Sequence, residues 1–362
     1  MKETGKIVLR VINPFIVSYS SSKVKQLSNY KMHIGLVGPL PPPSGGMANQ
    51  TRQLARLLAN ENIQITLIQV NAPYSPQWIE KFKGIRAFFR LIPYLYKLWR
   101  AANSVHFFHV MANSGWSWHL FAAPVIWIAY FKNKPVIINY RGGEAEAFLN
   151  KSIFWVRPSL KRASAIIVPS AFLKHIFNQQ GFDVSIVPNI IDLDRFAAQS
   201  PEWSLPKIEN NPHIILTRNL ESIYDNATAI QAFSIVKKNF PNAKLSIAGS
   251  GPEKTMLEQL VDSLKLVDSV TFLGRIDNAA INDLYHQADI MVNTSLIDNM
   301  PISILEALAC KVPVVSTNVG GVPFLVKHDE TALLVPPKNP ADIAEAIQLI
   351  LTNPKKKKKM VE

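Results

Sequence analysis

Apolar residues in this chain fall in short, nearly unbroken runs separated by helical stretches, and the alternation occurs in two series. The first series of strand-like runs covers residues 33–37, 65–70, 104–109, 136–140, 165–168 and 184–187. The second covers 214–216, 244–248, 270–273, 290–293, 312–316 and 333–335. Runs of Val, Ile and Leu without a polar alternate belong to strands buried on both faces, as in parallel sheets covered by helices. Two doubly wound α/β domains follow from that order. Residues 196–212 carry Ser-Pro, Leu-Pro and Asn-Asn-Pro, which mark the join. The expected division is an extension 1–31, a first domain 32–195, a linker 196–212, a second domain 213–352 and a basic tail 353–362. Ligands of such sheets bind beyond the carboxyl ends of the strands. The candidate site is therefore expected in a cleft between the domains.

Composition narrows the class. The 362 residues are 48% apolar and 18% charged, which suits two globular domains. One cysteine, Cys310, excludes an intrachain disulfide and a cysteine-rich zinc site. It lies by the apolar face of a predicted helix and reads as a buried structural thiol. The eight histidines show no metal-ligand spacing, so no metal is expected. Charge is unevenly spread: residues 1–200 hold 23 Lys or Arg against 8 Asp or Glu, whereas residues 201–362 hold 16 against 18. A basic half of this kind suits a polyanion or an acidic membrane. No nucleic-acid-binding motif accompanies it. The longest apolar run, residues 120–131, is broken by Pro124 and is short of the ~20 residues that span a bilayer. The first residues are interrupted by Arg10, Asn13 and Pro14 and make a poor secretory signal. A cytoplasmic location is expected, with peripheral contact on the inner face of the plasma membrane as its extension.

The segment 293–321, NTSLIDNMPISILEALACKVPVVSTNVGG, concentrates the chemistry. Asp298 and Glu306 flank a turn and the first half of a helix. Pro301 suits the start of that helix, because it lacks an N–H and its φ is preset. The amides of Ile302, Ser303 and Ile304 are then expected to point out of the helix N-terminus, a setting that favours phosphate. Glu306 lies about one turn further in, ~5 Å along the axis from Ser303, where it can accept from a ribose diol. The layout reads as a site for a nucleoside diphosphate.

This segment resembles the donor-binding motif of retaining glycosyltransferases of family 4, which have the GT-B fold of two Rossmann-like domains facing across a cleft. The family pattern is two glutamates separated by seven residues, the first followed by Gly-Phe-Pro and the second by Ala. Here the residues are Asp298-Asn299-Met300-Pro301 and Glu306-Ala307, followed by Pro313-Val314-Val315 and Gly320-Gly321. The resemblance extends over residues 32–352 and is most specific over 289–335. It implies transfer of a sugar from a nucleotide-sugar donor, with Asp298 on the sugar hydroxyls and Glu306 on the ribose. Asn299, Met300, Pro301, Ile302 and Ser303 complete the donor loop. The nucleotide-sugar is a substrate, and no cofactor or metal is implied.

Other positions follow from the same resemblance. Arg218 matches a phosphate-gripping arginine, and its guanidinium suits a bidentate contact. The family's lysine about six residues later falls within Ile223-Tyr224-Asp225-Asn226, which has none. Gly45 and Gly46 match a glycine-rich loop near donor and acceptor. Gly251, Arg275 and Ile276 match loops that line the nucleotide pocket. Arg141-Gly142 stands where the family often has His-Gly, which makes Arg141 a candidate contact to phosphate or acceptor and Glu144 its partner or a helix cap. His109, at a strand end, reads as structural. Family members usually continue with a helix that crosses back onto the first domain. The run Lys355–Lys359 reads instead as an exposed tail, and loss of that helix would weaken domain closure. Residues 81–100, KFKGIRAFFRLIPYLYKLWR, interleave cations with aromatics as an interfacial segment does, or as an amphipathic core helix with snorkelling cations does. The acceptor is accordingly a sugar or a lipid-linked molecule, and an anionic membrane surface is a further partner. Two alternatives stay open: a sugar-nucleotide epimerase of the same architecture, and a non-catalytic nucleotide-binding relative.

Overall fold

The computed structural model describes residues 32–42, 45–74, 76–82, 86–196 and 211–362. The expected extension 1–31 and most of the expected linker lie outside the described residues. The chain divides into two compact units, one up to Ile190 and one from Ile191 onward. The division falls five residues before the expected boundary at 195/196. The short helix Leu193–Phe196 belongs with the second unit, because Phe196 packs edge-on against Tyr285 at 6.1 Å.

In the first unit the strands are β1 His33–Gly38, β2 Gln64–Gln69, β3 Phe107–Ala112, β4 Val136–Tyr140, β5 Ala165–Val168 and β6 Ser185–Ile186. The helices are α1 Gly46–Asn60, α2 Arg86–Ala101, α3 Ala123–Phe131, α4 Ala145–Leu160 and α5 Ala171–Gln179. The sheet order is β2-β1-β3-β4-β5-β6, and all neighbours run parallel. Successive residues of β3 enter opposite cores: Phe108 and Val110 on one face, Phe107 and Met111 on the other. Burial on both faces is the reason the strands read as continuous apolar runs. The third strand lies three residues later than expected. The backbone N–H of Ser104 donates to the Ala101 carbonyl at 2.9 Å, closing a turn after α2 instead of starting the strand.

In the second unit the short helix is α6 Leu193–Phe196. The strands are β7 His213–Leu216, β8 Lys244–Ala248, β9 Val270–Gly274, β10 Ile290–Asn293, β11 Val314–Thr317 and β12 Leu333–Val335. The further helices are α7 Asn226–Asn239, α8 Lys254–Ser263, α9 Asn278–His286, α10 Ile302–Ala309, α11 Val322–Leu325, α12 Pro340–Thr352 and α13 Pro354–Val361. The order β12-β11-β10-β7-β8-β9, again parallel, is that of a doubly wound dinucleotide-type sheet. Its strand order reverses between β7 and β10, and ligands of such sheets bind at that point.

The lysine run corrects the expectation of an exposed tail. It forms α13, whose N-cap Asn353 Oδ1 accepts from the Lys356 N–H at 3.1 Å. Lys357 is only 2% exposed and its Nζ lies 2.9 Å from Asp289 Oδ1. Asp289 Oδ2 in turn accepts from the backbone N–H of His213, at the start of β7. Met360 enters the core of the second unit. A neighbouring charge and an apolar anchor thus turn a run of like charge into a packed helix. Among the described residues, no helix is long and apolar enough to cross a membrane.

Candidate functional site

The loops after β7 and β10 meet at the switch point of the second sheet. Arg218 lies two residues beyond β7, and Asp298 lies on the loop from β10 to α10. Arg218 Nη2 pairs directly with Asp298 Oδ2, and both side chains are largely buried. The guanidinium also stacks on the Tyr224 ring, 4.1 Å from its centroid. The Asp298 carboxylate accepts the backbone N–H groups of Asn299 and Met300. Burial pushes the Asp298 pKa up, while Arg218 and these two amides oppose the rise.

Backbone contacts explain why these loops hold their shape. Gly321 N donates to the Asp298 carbonyl at 2.7 Å. A Cβ at Gly321 would lie 1.8 Å from the Asn299 carbonyl oxygen, so only glycine fits without a shift. Gly320 combines φ of +52° with a close approach to Asp298, where a Cβ would lie 2.2 Å from the carbonyl oxygen. On the other side, Leu296 N donates to the Ile223 carbonyl at 2.8 Å, and Thr294 Oγ1 donates to the Tyr224 carbonyl at 3.0 Å. Gly251 packs its backbone against Leu220, where a Cβ would lie 2.2 Å from the carbonyl oxygen. That contact braces the Arg218 loop.

Helix α10 begins at N-cap Pro301, with φ −63°. The Ile304 amide, expected to point outward, instead donates to the Pro301 carbonyl at 3.2 Å, closing the first turn. The Ile302 and Ser303 amides precede it. The Ser303 hydroxyl is buried and has no hydrogen-bond partner. Glu306 follows on the same helix, and its Oε2 accepts from the Tyr285 hydroxyl at 3.0 Å. That hydroxyl also approaches the Ser303 carbonyl at 3.1 Å and Thr217 Oγ1 at 2.9 Å. Tyr285 has one proton to give, so Thr217 donates to it and the two acceptors share its proton. Burial raises the Glu306 pKa to about 7, against the lowering effect of the Tyr285 hydrogen bond and of the charges on Arg195 and Arg218.

Asp298, Arg218, Glu306, Gly251 and the 299–303 segment therefore stand together in one unit. Arg275 and Ile276 follow β9, two strands away from β7 in the sheet, with Arg275 exposed. Four residues were not anticipated from the sequence: Tyr285, Thr217, Tyr224 and Arg195. Tyr224 occupies the stretch where a lysine was expected. Arg195 rides on α6, whose Phe196 carbonyl accepts from the Cys310 thiol at 3.3 Å. Cys310 is buried as expected, and burial pushes its thiol up to about 12.

The first unit holds Arg141, Gly45 and Gly46. Arg141 follows β4, and its Nε donates to Asn139 Oδ1 at 2.9 Å while Nη1 pairs with Asn189 Oδ1. Gln50 Oε1 lies 3.4 Å from Nη1 and also accepts from the Ile190 N–H at 2.9 Å. Burial lowers the Arg141 pKa to about 10. His109 is buried within β3, where Asn139 Nδ2 donates to its Nε2 at 3.1 Å. Burial, with the Arg141 charge beside it, holds its pKa near 3. Arg141, the candidate contact to phosphate or acceptor, is held by a set of amides within the unit. Glu144 occupies the N-cap position of α4, exposed and without a side-chain cap. Gly45 is the N-cap residue of α1, and a Cβ there would meet no atom within 4 Å.

Two family models match this chain: Glycosyltransferase Family 4 over residues 44–195 and Glycosyl transferases group 1 over residues 201–362. The N-acetyl-alpha-D-glucosaminyl L-malate synthase of Bacillus anthracis is 36% identical over 139 residues, 38% of this chain and 35% of that protein. The glycogen synthase of Mycobacterium tuberculosis strain H37Rv is 26% identical over 249 residues, 65% of this chain and 59% of that protein. The first three curated relatives are matched over only 29% to 46% of their own lengths. Among solved structures, Anabaena Alr3699/HepE in complex with UDP aligns with a TM-score of 0.68 and 18% identity, covering 91% of this chain and 93% of that one. The sucrose-phosphate synthase of Thermosynechococcus elongatus aligns with a TM-score of 0.68 and 19% identity, covering 91% and 92%. At these identities the likeness shows the shared GT-B fold.

Proposed function

Since this chain belongs to the group 1 glycosyltransferases of family 4, we propose that it moves a sugar, with retention, from a nucleotide-sugar to an acceptor in glycan synthesis. The observation that carries this reading is the meeting of Arg218, Asp298 and Glu306 at the switch point of the second sheet. An incoming diphosphate competes with Asp298 for the Arg218 guanidinium, which can bind it through two nitrogens. The Ile302 and Ser303 amides and the buried Ser303 hydroxyl add donors at a helix N-terminus. Asp298, relieved of part of its ion pair, accepts from the sugar hydroxyls, and Glu306 accepts from the ribose. Catalysis in this reading is positioning plus stabilisation of a departing diphosphate. The protein's own cations and amides carry that charge, with no metal assigned to it.

Solved neighbours were crystallised with UDP and with UDP-glucose, which makes uridine diphosphate sugars the first donors to try. The two curated relatives named above are synthases, which favours transfer over epimerisation or simple binding. The acceptor in this reading is a sugar or a lipid-linked molecule; the exposed Phe88, Ile92, Tyr96 and Trp99 beside Arg90, Lys97 and Arg100 support the lipid-linked choice, reached from an anionic membrane surface. The test is transfer of labelled sugar into a lipid extract by the full chain. The reading expects label in the lipid fraction, absent with Glu306→Ala. Release of free sugar nucleotide isomer without acceptor labelling would overturn it in favour of the epimerase.

A further inference from the structure

We propose that the first unit docks on an anionic bilayer through one continuous face built from α2, α3 and α4. This rests on the membrane reading above and extends it from one segment to three helices. Helix α2 packs Tyr94 and Leu98 into the core, with Leu91 and Leu95 against it. The adjoining side carries Phe88, Ile92, Tyr96 and Trp99, exposed by 62%, 63%, 65% and 49%. Their spacing of four, four and three residues makes one stripe along the helix. A solvent-facing stripe is normally polar, and an apolar one of this length marks an interaction surface.

The stripe does not end at α2. Lys132, just past α3, lies 4.0 Å over the Trp99 ring. Tyr130 and Phe131 at the end of α3 are themselves exposed. Trp127 on α3 donates its indole N–H to Ser159 Oγ on α4 at 3.1 Å. Arg162, after α4, stacks on Trp127 at 4.1 Å and on Tyr130 at 4.8 Å. One step further along α4, Phe154 and Trp155 are 76% and 73% exposed and meet edge to face. Cations and aromatic rings thus tie the three helices side by side.

Charge selects the occupant. Residues 86–101, 123–134 and 145–162, the three helices and the residues just after them, contain ten Lys or Arg against one acid, Glu146 in the first turn of α4. A second copy of the chain would oppose ten cations with ten cations. An anionic bilayer instead offers phosphates to the cations and a headgroup boundary that suits Trp, Tyr and Phe.

The test is flotation of the full chain with vesicles of phosphatidylcholine alone and of phosphatidylcholine with phosphatidylglycerol. The proposal expects flotation with the anionic vesicles, weakened by high salt. It further expects about tenfold weaker binding for Phe154→Ser with Trp155→Ser on α4, and separately for Phe88→Ser with Ile92→Ser on α2. These positions are exposed, so an unchanged Tm reports an intact fold. If the α4 pair floats like the parent while the α2 pair does not, the three-helix face is wrong and the single-segment reading survives. No flotation of the parent chain overturns both. A salt-resistant dimer in sedimentation, broken by the same substitutions, would assign the face to a second copy instead. None of these outcomes depends on sugar transfer, so failure of the transfer reading registers separately.

Discussion

Arg141 and Arg218 occupy similar places, one just after β4 and the other just after β7, yet they are held in different ways. Arg141 sits among the amides of Asn139, Asn189 and Gln50. Arg218 sits against the carboxylate of Asp298 and the face of Tyr224. Neutral amides orient a guanidinium and are themselves tied to the backbone, as Gln50 is to Ile190. Removing the arginine takes one donor from each of them, while Gln50 keeps Ile190 and Asn139 keeps His109. A carboxylate is an anion that another anion can replace. The same residue type at the same kind of strand end is therefore held by neutral amides in one unit and by an anion in the other, and under the proposed function only the second partner is one that a phosphate can displace.

The sharpest test of that contrast is Arg218→Ala. Loss of one preorganised donor to a developing anion costs about 3–4 kcal/mol of barrier, so transfer should fall by about two to three orders of magnitude. Its Tm should change less than its rate, because Asp298 keeps the Asn299 and Met300 amides. Arg218→Lys should recover little, since an ammonium lacks the planar fork. Arg141→Ala should show the reverse, with a stability loss of about 3 kcal/mol from three lost hydrogen bonds at about 1 kcal/mol each and an unchanged response to nucleoside diphosphate. Equal Tm for parent and Arg141→Ala, with transfer abolished, would break the comparison.

Gly321→Ala should have an intermediate effect of about 2 kcal/mol, because its Cβ would meet the Asn299 carbonyl at 1.8 Å and displace the Asp298 turn. Calorimetry should show lost stability together with weaker nucleotide binding.

Glu306→Gln should stabilise the fold instead of weakening it, by an amount that depends on pH. The folded-state pKa of about 7 lies above the ordinary carboxyl value, so the folded chain holds the proton more tightly. This group's contribution to stability therefore falls as pH rises from about 4.3 to 7, and the full cost is present above 7. Gln carries no such cost and keeps an acceptor for Tyr285. The variant should gain about 2–3 kcal/mol on the parent between pH 5 and pH 8, measured by denaturant unfolding at each pH. A difference independent of pH would remove the raised pKa from the account.

The strands of both units were legible because burial on two faces leaves an apolar run in the sequence. Residues 104–106 misled, because polar His109 read as a strand end, whereas Asn139 satisfies it inside the sheet. The Asp298 and Glu306 loop was legible because proline and paired glycines impose local geometry. Tyr285 was not, since its partners Glu306 and Thr217 are 21 and 68 residues away and no local pattern joins them. The lysine run misled for the same reason. Its fate is decided by Asp289, 68 residues from Lys357. The amide set around Arg141 likewise spans 91 residues to Gln50.

The most direct test of the central claim is a thermal-shift panel of UDP, GDP, ADP, dTDP and CDP on the full chain, repeated with Arg218→Ala, Glu306→Ala and Arg141→Ala. A ligand at ~100 times its Kd stabilises by ~2.7 kcal/mol. The account predicts one clear responder, lost in the first two variants and retained in the third. A folded parent chain that responds to none of the five, or an Arg218→Ala variant that responds like the parent, would contradict it.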